Sequence, residues 1–233
     1  MLPKLSVLVV DDAPQIQRLL RIAFGNERFK WIEARTAAAA LELFAVEEFD
    51  LVILDLGLPD QNGFTVLEAI HQNSSAPIIV LSVRDDEASK VKALDLGAYD
   101  YVTKPFGIPE LGARIRAALR HHYQEKGTNP VVRCGDVLID LVNRRVSRGG
   151  EDVQLSPTEY QILHLLAEDA GKILTHNSIL EKIHGDKDLR DVHYLRVYVR
   201  SLRQKLGDEA GHSAIIRTEM GIGYRLMVSE PNA

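Results

Sequence analysis

The sequence predicts an α/β domain built on a five-stranded, doubly wound parallel sheet, followed by a smaller α+β domain that carries a helix-turn-helix. Three observations predict it. At 233 residues the chain exceeds one typical mixed domain and suits two, each large enough to bury its own core. In the first half, short apolar runs alternate with helical periodicity, the βαβα signature of a parallel sheet covered on both faces. In the second half that alternation gives way to short strand candidates, helices and a Gly-containing hairpin.

In order, Ser6 to Val10, a weaker Lys30 to Ala34, Leu51 to Leu54, Ile78 to Leu81 and Tyr101 to Val102 are strand-like. Between and after them, Pro14 to Phe24, Ala37 to Glu47, Gly63 to Gln72, Glu87 to Leu96 and Ile108 to Tyr123 have helical patterns. Periodicity is lost from His121 to Pro130, a stretch ending in turn formers, so residues 1–123 are read as one domain and 124–130 as a linker. The second domain, 131–229, opens with strand candidates Val131 to Cys134, Val137 to Asp140, Arg145 to Ser147 and Val153 to Leu155. Ser156-Pro157-Thr158-Glu159 supplies an N-cap Ser, Pro at the first helical position and Glu at the third, a capping box that opens a helix toward Asp169. A short helix at Ser178 to Ile183, a loop at Gly185 to Asp191, a helix from Val192 to Leu206 and a hairpin from Ile215 to Met227 complete the chain.

Composition excludes several classes. Hydrophobic residues at 45% and charged residues at 26% describe an ordinary folded protein. No apolar run reaches the roughly 18 residues of a membrane span and the N-terminus reads as a strand, so a cytoplasmic protein without membrane contact is expected. The single cysteine, Cys134, cannot form an internal disulfide, and neither it nor the His121-His122 pair has metal-ligand spacing. The net charge of −5 argues against indiscriminate nucleic-acid binding. Yet Arg190 to Leu206 holds Arg190, Arg196, Arg200, Arg203 and Lys205 against the single acid Asp191, and an anionic partner is expected there.

In an open parallel sheet, ligands bind at the carboxyl ends of the strands. Four strand candidates here end in polar groups: Val10 is followed by Asp11 and Asp12, Leu54 by Asp55, Leu81 by Ser82, and Val102-Thr103 by Lys104-Pro105. Carboxylates packed together repel unless a cation sits among them, and Mg²⁺ satisfies oxygen ligands of this kind. Such an ion would bridge a phosphoryl oxygen while Lys104 and Ser82 hold others, leaving Asp55 to attack phosphorus. Each residue alone would more simply be a strand or helix cap; the set is hard to explain that way. An aspartyl-phosphate hydrolase, the alternative from another class, requires a second acid two residues after the nucleophile, where this chain has Gly57.

Val9-Val10-Asp11-Asp12, Leu54 to Asp60 with Gly63, Leu81-Ser82 and Tyr101 to Phe106 together resemble the receiver domains of two-component response regulators. The resemblance implies a flavodoxin-like fold and Asp55 as acceptor of a phosphoryl group from a sensor histidine kinase. It also implies Mg²⁺ on Asp11, Asp12, Asp55 and the carbonyl of Gly57, a switch pair Ser82 and Tyr101, and a cis Pro105. One departure is Tyr99, where similar regulators usually carry an acid.

In Val192 to Leu206, the residues Leu195, Val199, Leu202 and Leu206 form one stripe for burial, and Arg196, Arg200 and Arg203 repeat the spacing one residue on, facing solvent. Three arginines on a helix are often only a solvated face. A preceding helix and turn make a helix-turn-helix, whose second helix enters the major groove. With Val197, this helix would contact promoter DNA, and Arg217, Thr218 and Arg225 of the hairpin would reach the neighbouring minor groove. Leu155 to Tyr160, Leu202 to Leu206 and Thr218 to Arg225 resemble the winged helix-turn-helix effector of the OmpR/PhoB class. Within it, Leu54 to Asp60, Lys104 to Arg120 and His193 to Leu206 resemble the branch controlling potassium-uptake genes, which implies that system's sensor kinase as partner. The class also implies RNA polymerase at the Gly185 to Asp191 loop and a homodimer on phosphorylation. Its dimer face would be Lys90, Val91, Leu94, Asp100, Glu110 and Arg114, with Lys90 opposite Glu110 and Asp100 opposite Arg114 of the second copy.

Overall fold

A computed structural model of the protein describes residues 4–25, 29–184, 192–208 and 215–229. These fall into two compact units, one of residues 4–125 and one beginning at Lys126.

The first unit runs β1 (Leu5–Val10), α1 (Pro14–Phe24), β2 (Phe29–Ala34), α2 (Ala37–Val46), β3 (Leu51–Leu54), α3 (Gly63–Asn73), β4 (Ile78–Ser82), α4 (Glu87–Asp95), β5 (Asp100–Thr103) and α5 (Ile108–Glu125). All strand pairs are parallel, in the order β2-β1-β3-β4-β5. The period of two along each strand divides its apolar residues between the faces. Leu8, Val10, Val52, Leu54, Ile78 and Val80 pack with Phe64, Leu67 and Ile70 of α3 and with Ala37, Ala40 and Ala93 of α2 and α4. Val7, Val9, Ile53, Ile79 and Leu81 are buried on the other face. On that side α1 and α5 approach closely: a Cβ on Gly112 would stand 3.1 Å from the Phe24 ring. The sheet reverses its winding between β1 and β3, which opens a crevice at their carboxyl ends.

Helix α5 continues through Glu125, two residues into the expected linker. Thr128 donates its hydroxyl to the Glu168 carbonyl at 3.1 Å, and the Pro130 carbonyl accepts from Leu141 N–H at 2.9 Å. Turn-forming composition had marked this stretch as connecting chain, but both its ends are hydrogen-bonded structure.

The second unit opens with an antiparallel meander, β6 (Val131–Cys134), β7 (Val137–Asp140), β8 (Arg145–Arg148) and β9 (Glu151–Asp152). The fourth strand is shifted from the expected Val153 to Leu155. Gly149 and Gly150, both at positive φ, turn the chain so tightly that pairing starts at Glu151, and after one further bond from Val153 N–H to Val146 it leaves for the helix cap. Next come α6 (Pro157–Glu168), β10 (Ile173–Thr175), α7 (His176–His184), α8 (Val192–Leu206), β11 (Ile216–Glu219) and β12 (Gly223–Leu226). Three-residue β10 was not expected; it pairs with β12 and turns the closing hairpin into a three-stranded sheet.

The capping box at α6 is complete: Ser156 Oγ accepts from Glu159 N–H at 3.4 Å and Ser156 N–H donates to Glu159 Oε2 at 2.6 Å. Glu159 is buried and also accepts from Ser201 Oγ and Lys205 Nζ of α8. Burial opposes its charge, but the bonds from Lys205, Ser201 and Ser156 outweigh it and hold the carboxyl down at about 2. A carboxylate depressed on folding stabilises the fold above its ordinary pKa and loses that contribution as pH falls from about 4.5 towards 2, here about 3 kcal/mol in all. Urea midpoints should therefore fall more steeply over that window in the parent than in Glu159→Gln. Equal slopes would deny Glu159 this role.

Candidate functional site

The crevice at the ends of β1 and β3 gathers the polar strand-end residues. Asp11 and Asp55 are buried and Asp12 is exposed, and their carboxylate oxygens lie within 4.8 Å of one another. Lys104 Nζ donates to Asp11 Oδ2 and to Asp55 Oδ2, each at 2.6 Å. Asp11 Oδ1 accepts from Ala13 N–H at 2.9 Å and Asp55 Oδ1 from Gly57 N–H at 3.0 Å. Backbone bonds hold these residues in the sheet frame: Asp55 N–H donates to the Val10 carbonyl and Lys104 N–H to the Ser82 carbonyl, both at 2.8 Å. The Lys104–Pro105 peptide is cis.

Burial pushes the Asp11 carboxyl up, and the bond from Lys104 only partly offsets this. Burial would lower Lys104, but its bonds to Asp11 and Asp55 outweigh it and raise the ammonium, which stays charged. One cation against three carboxylates leaves an excess of negative charge that a hard divalent ion offsets, and an all-oxygen donor set suits Mg²⁺. The residues present fit that ion.

Ser82 is fully buried at the end of β4, and its Oγ accepts from Arg84 N–H at 3.4 Å. The Tyr101 hydroxyl donates to the Arg84 carbonyl at 2.7 Å. Burial raises its pKa, with the Ser82 hydroxyl acting the other way. Ser82, Tyr101 and the β4–α4 connection are therefore one hydrogen-bonded assembly.

Three supporting residues went unassigned in the sequence. Buried Gln17 donates from Nε2 to the carbonyls of Asp11 (2.7 Å) and Ala34 (3.2 Å), fixing the ends of β1 and β2. Its signal was a polar residue three positions before Leu20 on the buried face of α1. Asp60 accepts from Ala37 and Ala38 N–H at 2.9 and 3.0 Å, tethering the loop after Asp55 to the start of α2. No local pattern announces that pairing. Gly63 has space only for hydrogen, because a Cβ there would stand 2.6 Å from the Asp55 carbonyl oxygen.

In the second unit, Leu195, Val199, Leu202 and Leu206 are buried as their spacing requires. Arg196, Val197 and Arg200 are exposed on the outer face of α8. Arg203 departs from the expected solvent position: its guanidinium donates to the Ile216 carbonyl (2.6 and 3.1 Å) and to Thr218 Oγ1 (2.7 Å). Helical periodicity places Arg203 with the other two arginines, but β11 lies against that end of the face. Arg225 is similarly engaged, pairing with Glu219 Oε1 at 3.0 Å; Arg217, 3.8 Å from the same oxygen, and Thr218 are exposed. The Gly185 to Asp191 loop lies outside the described residues.

On the α4–β5–α5 side, Val91 and Leu94 are about half exposed, at 50% and 47%, and Lys90 is partly buried. Arg114 binds Asp100 Oδ2 at 2.6 Å and Glu110 Oε1 at 2.8 Å within the same chain. Of the two pairs expected across two copies, Asp100 and Arg114 are thus joined within one, while Glu110 binds Arg114 and not Lys90. The Tyr99 ring lies 5.3 Å from that of His121.

Two family models match the chain: the response regulator receiver domain over residues 7–116, and the C-terminal domain of transcriptional regulatory proteins over 150–226. The KDP operon transcriptional regulatory protein KdpE of Escherichia coli (strain K12) is 44% identical over 96% of this chain and 99% of its own length. The chain belongs to the KdpE-like response regulators of the OmpR/PhoB class. Transcriptional regulatory protein KdpE of Mycobacterium tuberculosis (strain ATCC 25618 / H37Rv) is likewise 44% identical, over 94% of this chain and 97% of its own. Among solved structures, a CheY-like receiver domain protein from Methanospirillum hungatei superposes with a TM-score of 0.51 at 27% identity, covering 53% of this chain and 99% of that one. As a response regulator the protein is a DNA-binding transcription factor, not an enzyme, whose class works with a histidine kinase and promoter DNA. No helix among the described residues is long and apolar enough to cross a membrane.

Proposed function

We propose that this regulator takes a phosphoryl group on Asp55 and then binds, as a dimer, to promoter DNA controlling potassium-transport genes. The observation that carries the proposal is Lys104, held between Asp11 and Asp55 at the carboxyl ends of the central strands. Asp11, Asp12, Asp55 and the Gly57 carbonyl would hold Mg²⁺, which when bound neutralises the acids and polarises a phosphoryl oxygen. An Asp55 oxygen forms a bond to phosphorus as the kinase's N–P bond breaks, the electron pair returning to the histidine ring. Lys104 leaves its carboxylate bridge for a phosphoryl oxygen, and Ser82 donates to another. Tyr101, tied to the Arg84 carbonyl next to Ser82, then follows the β4–α4 connection.

The regulon and a KdpD-type sensor kinase are supported by the names of relatives that match nearly end to end. A cytoplasmic location follows from that role, with RNA polymerase met through the Gly185 to Asp191 loop. A genome-wide footprint of the phosphorylated protein is expected to centre upstream of potassium-transport genes. Footprints confined to unrelated promoters would reassign the regulon.

Dimerisation through α4, β5 and α5 is supported by the half-exposed Val91 and Leu94 among Lys90, Asp100, Glu110 and Arg114. A two-fold interface repeats each contact, so small terms add around the apolar centre. In sedimentation of the phosphorylated protein, Glu110→Lys should weaken the dimer and Lys90→Glu in the same chain should partly restore it. Because Glu110 also binds Arg114 in its own chain, Glu110→Gln serves as the control for that loss. Undiminished dimerisation of Glu110→Lys would place the interface elsewhere.

A further inference from the structure

A carboxylate in a capping box ordinarily serves the first turn of its own helix. Glu159 does this through Ser156 and yet also reaches a different helix: Ser201 Oγ donates to its Oε1 at 2.7 Å and Lys205 Nζ to its Oε2 at 2.6 Å. Glu159 is only 4% exposed, so its charge is a buried one that these donors must satisfy. Ser201 and Lys205 are spaced i, i+4 on α8, beside the buried stripe and away from exposed Arg196 and Arg200.

Contacts among Leu195, Val199, Leu202 and Leu206 are non-directional, and the directional bonds that hold α8 come from Arg203 to β11 and from Ser201 and Lys205 to Glu159. Arg203 ties the C-terminal end of α8 to β11, whereas the two bonds a turn apart to the Glu159 carboxylate constrain its rotation and axial position against α6. A base-reading arginine displaced by about an ångström loses its hydrogen-bond geometry, whereas attraction to phosphates hardly changes.

We propose that Glu159 is a positioning residue for DNA recognition, a buried carboxylate on α6 that sets the rotation and register of α8 through Ser201 and Lys205 so that Arg196 and Arg200 meet the base edges. The proposal rests on the reading of α8 as the DNA-contacting helix. It has a corollary that separates it from an ordinary stabilising contact: Lys205, although part of the basic segment, spends its charge on Glu159 and not on a phosphate.

The test compares two duplexes, one carrying the footprinted site and one with the same bases shuffled, with full-length phosphorylated protein over a range of salt. Glu159→Gln, which keeps size but removes the charge, is expected to lose about tenfold in affinity for the site, within the range seen for coupled networks. Affinity for the shuffled duplex and the salt slope should stay at parental values, since no phosphate contact is removed. Lys205→Met and Ser201→Ala should weaken site binding in the same selective way, and they keep the test open if Glu159→Gln does not fold. Lys205→Arg, which can still donate to Glu159, should restore selectivity. Equal losses on both duplexes with a slope shallower by about one in Lys205→Met would put that lysine on a phosphate and overturn the proposal. So would undiminished site affinity in all three variants. Arg200→Ala, measured alongside, distinguishes the failures: if it too leaves site affinity unchanged, the reading of α8 itself falls; if it weakens binding while the others do not, only the positioning role falls.

Discussion

Replacing Asp55 by Ala is expected to abolish labelling of the protein by acetyl phosphate and Mg²⁺, with no transfer of the label to neighbouring acids. The reason is geometric. Asp11 and Asp55 each accept a backbone N–H on one oxygen and Lys104 on the other, so the difference lies in position: Asp11 follows β1, and Asp12 is exposed at the edge of the group. Asp55 follows the central strand β3, with its backbone bonded to the Val10 carbonyl and Gly57 N–H on one carboxylate oxygen. Removing it also frees Lys104 from one of its two partners, so the variant should keep the Lys104–Asp11 pair and remain folded. Peptide mapping of the labelled parent should place the phosphoryl group on Asp55. Label persisting in Asp55→Ala at Asp11 or Asp12 would sink the assignment.

Arg200→Ala is expected to weaken binding to the natural operator by roughly 1 to 3 kcal/mol, about 5- to 150-fold, as loss of a base-reading arginine does. Arg200 is exposed on α8 between Val197 and the end of the face that β11 covers. Arg145, paired with Asp152 in the β8–β9 hairpin, is the control whose loss should leave binding unchanged. Binding of a dimer making about 6 to 10 phosphate contacts should also fall roughly 10³- to 10⁵-fold between 50 and 200 mM salt. A folded Arg200→Ala protein with parental operator affinity would contradict the placement of α8. Arg203 is expected to behave differently from Arg200, because its guanidinium joins α8 to the Ile216 carbonyl and Thr218 and its loss would disturb the hairpin as well.

The receiver site was legible because its residues are strand ends. Once Leu51 to Leu54 reads as an apolar parallel strand, Asp55 must lie at its carboxyl edge, and the same logic places Asp11, Ser82 and Lys104. Each inference is local, and the parallel topology then brings the ends together without further information from the sequence. The capping box at Ser156 was legible for the same reason: both of its partners lie within four residues.

What escaped the sequence depends on contacts between distant segments. Arg203 has the periodicity of a solvent-facing residue and Arg225 is expected to reach DNA from the hairpin, and only the packing of β11 and β12 reveals that their guanidinium groups are engaged. Arg114 is expected to meet Asp100 of a second copy, and spacing does not show that within one chain it binds both Asp100 and Glu110. Strand β10 is three residues long, too short for an alternation to register, and becomes a strand through its pairing with β12. Glu159 was read as a helix cap, which it is; its two bonds to α8, 42 and 46 residues away, could not be read from spacing.

Control of DNA binding by Asp55 is tested most directly by operator affinity measured with and without acetyl phosphate and Mg²⁺, in the parent and in Asp55→Ala. Phosphorylation is expected to tighten binding of the parent, together with a shift to dimer, while Asp55→Ala binds at the unphosphorylated level under both conditions. Parental affinity that ignores acetyl phosphate, or an Asp55→Ala protein that responds to it as the parent does, would contradict it.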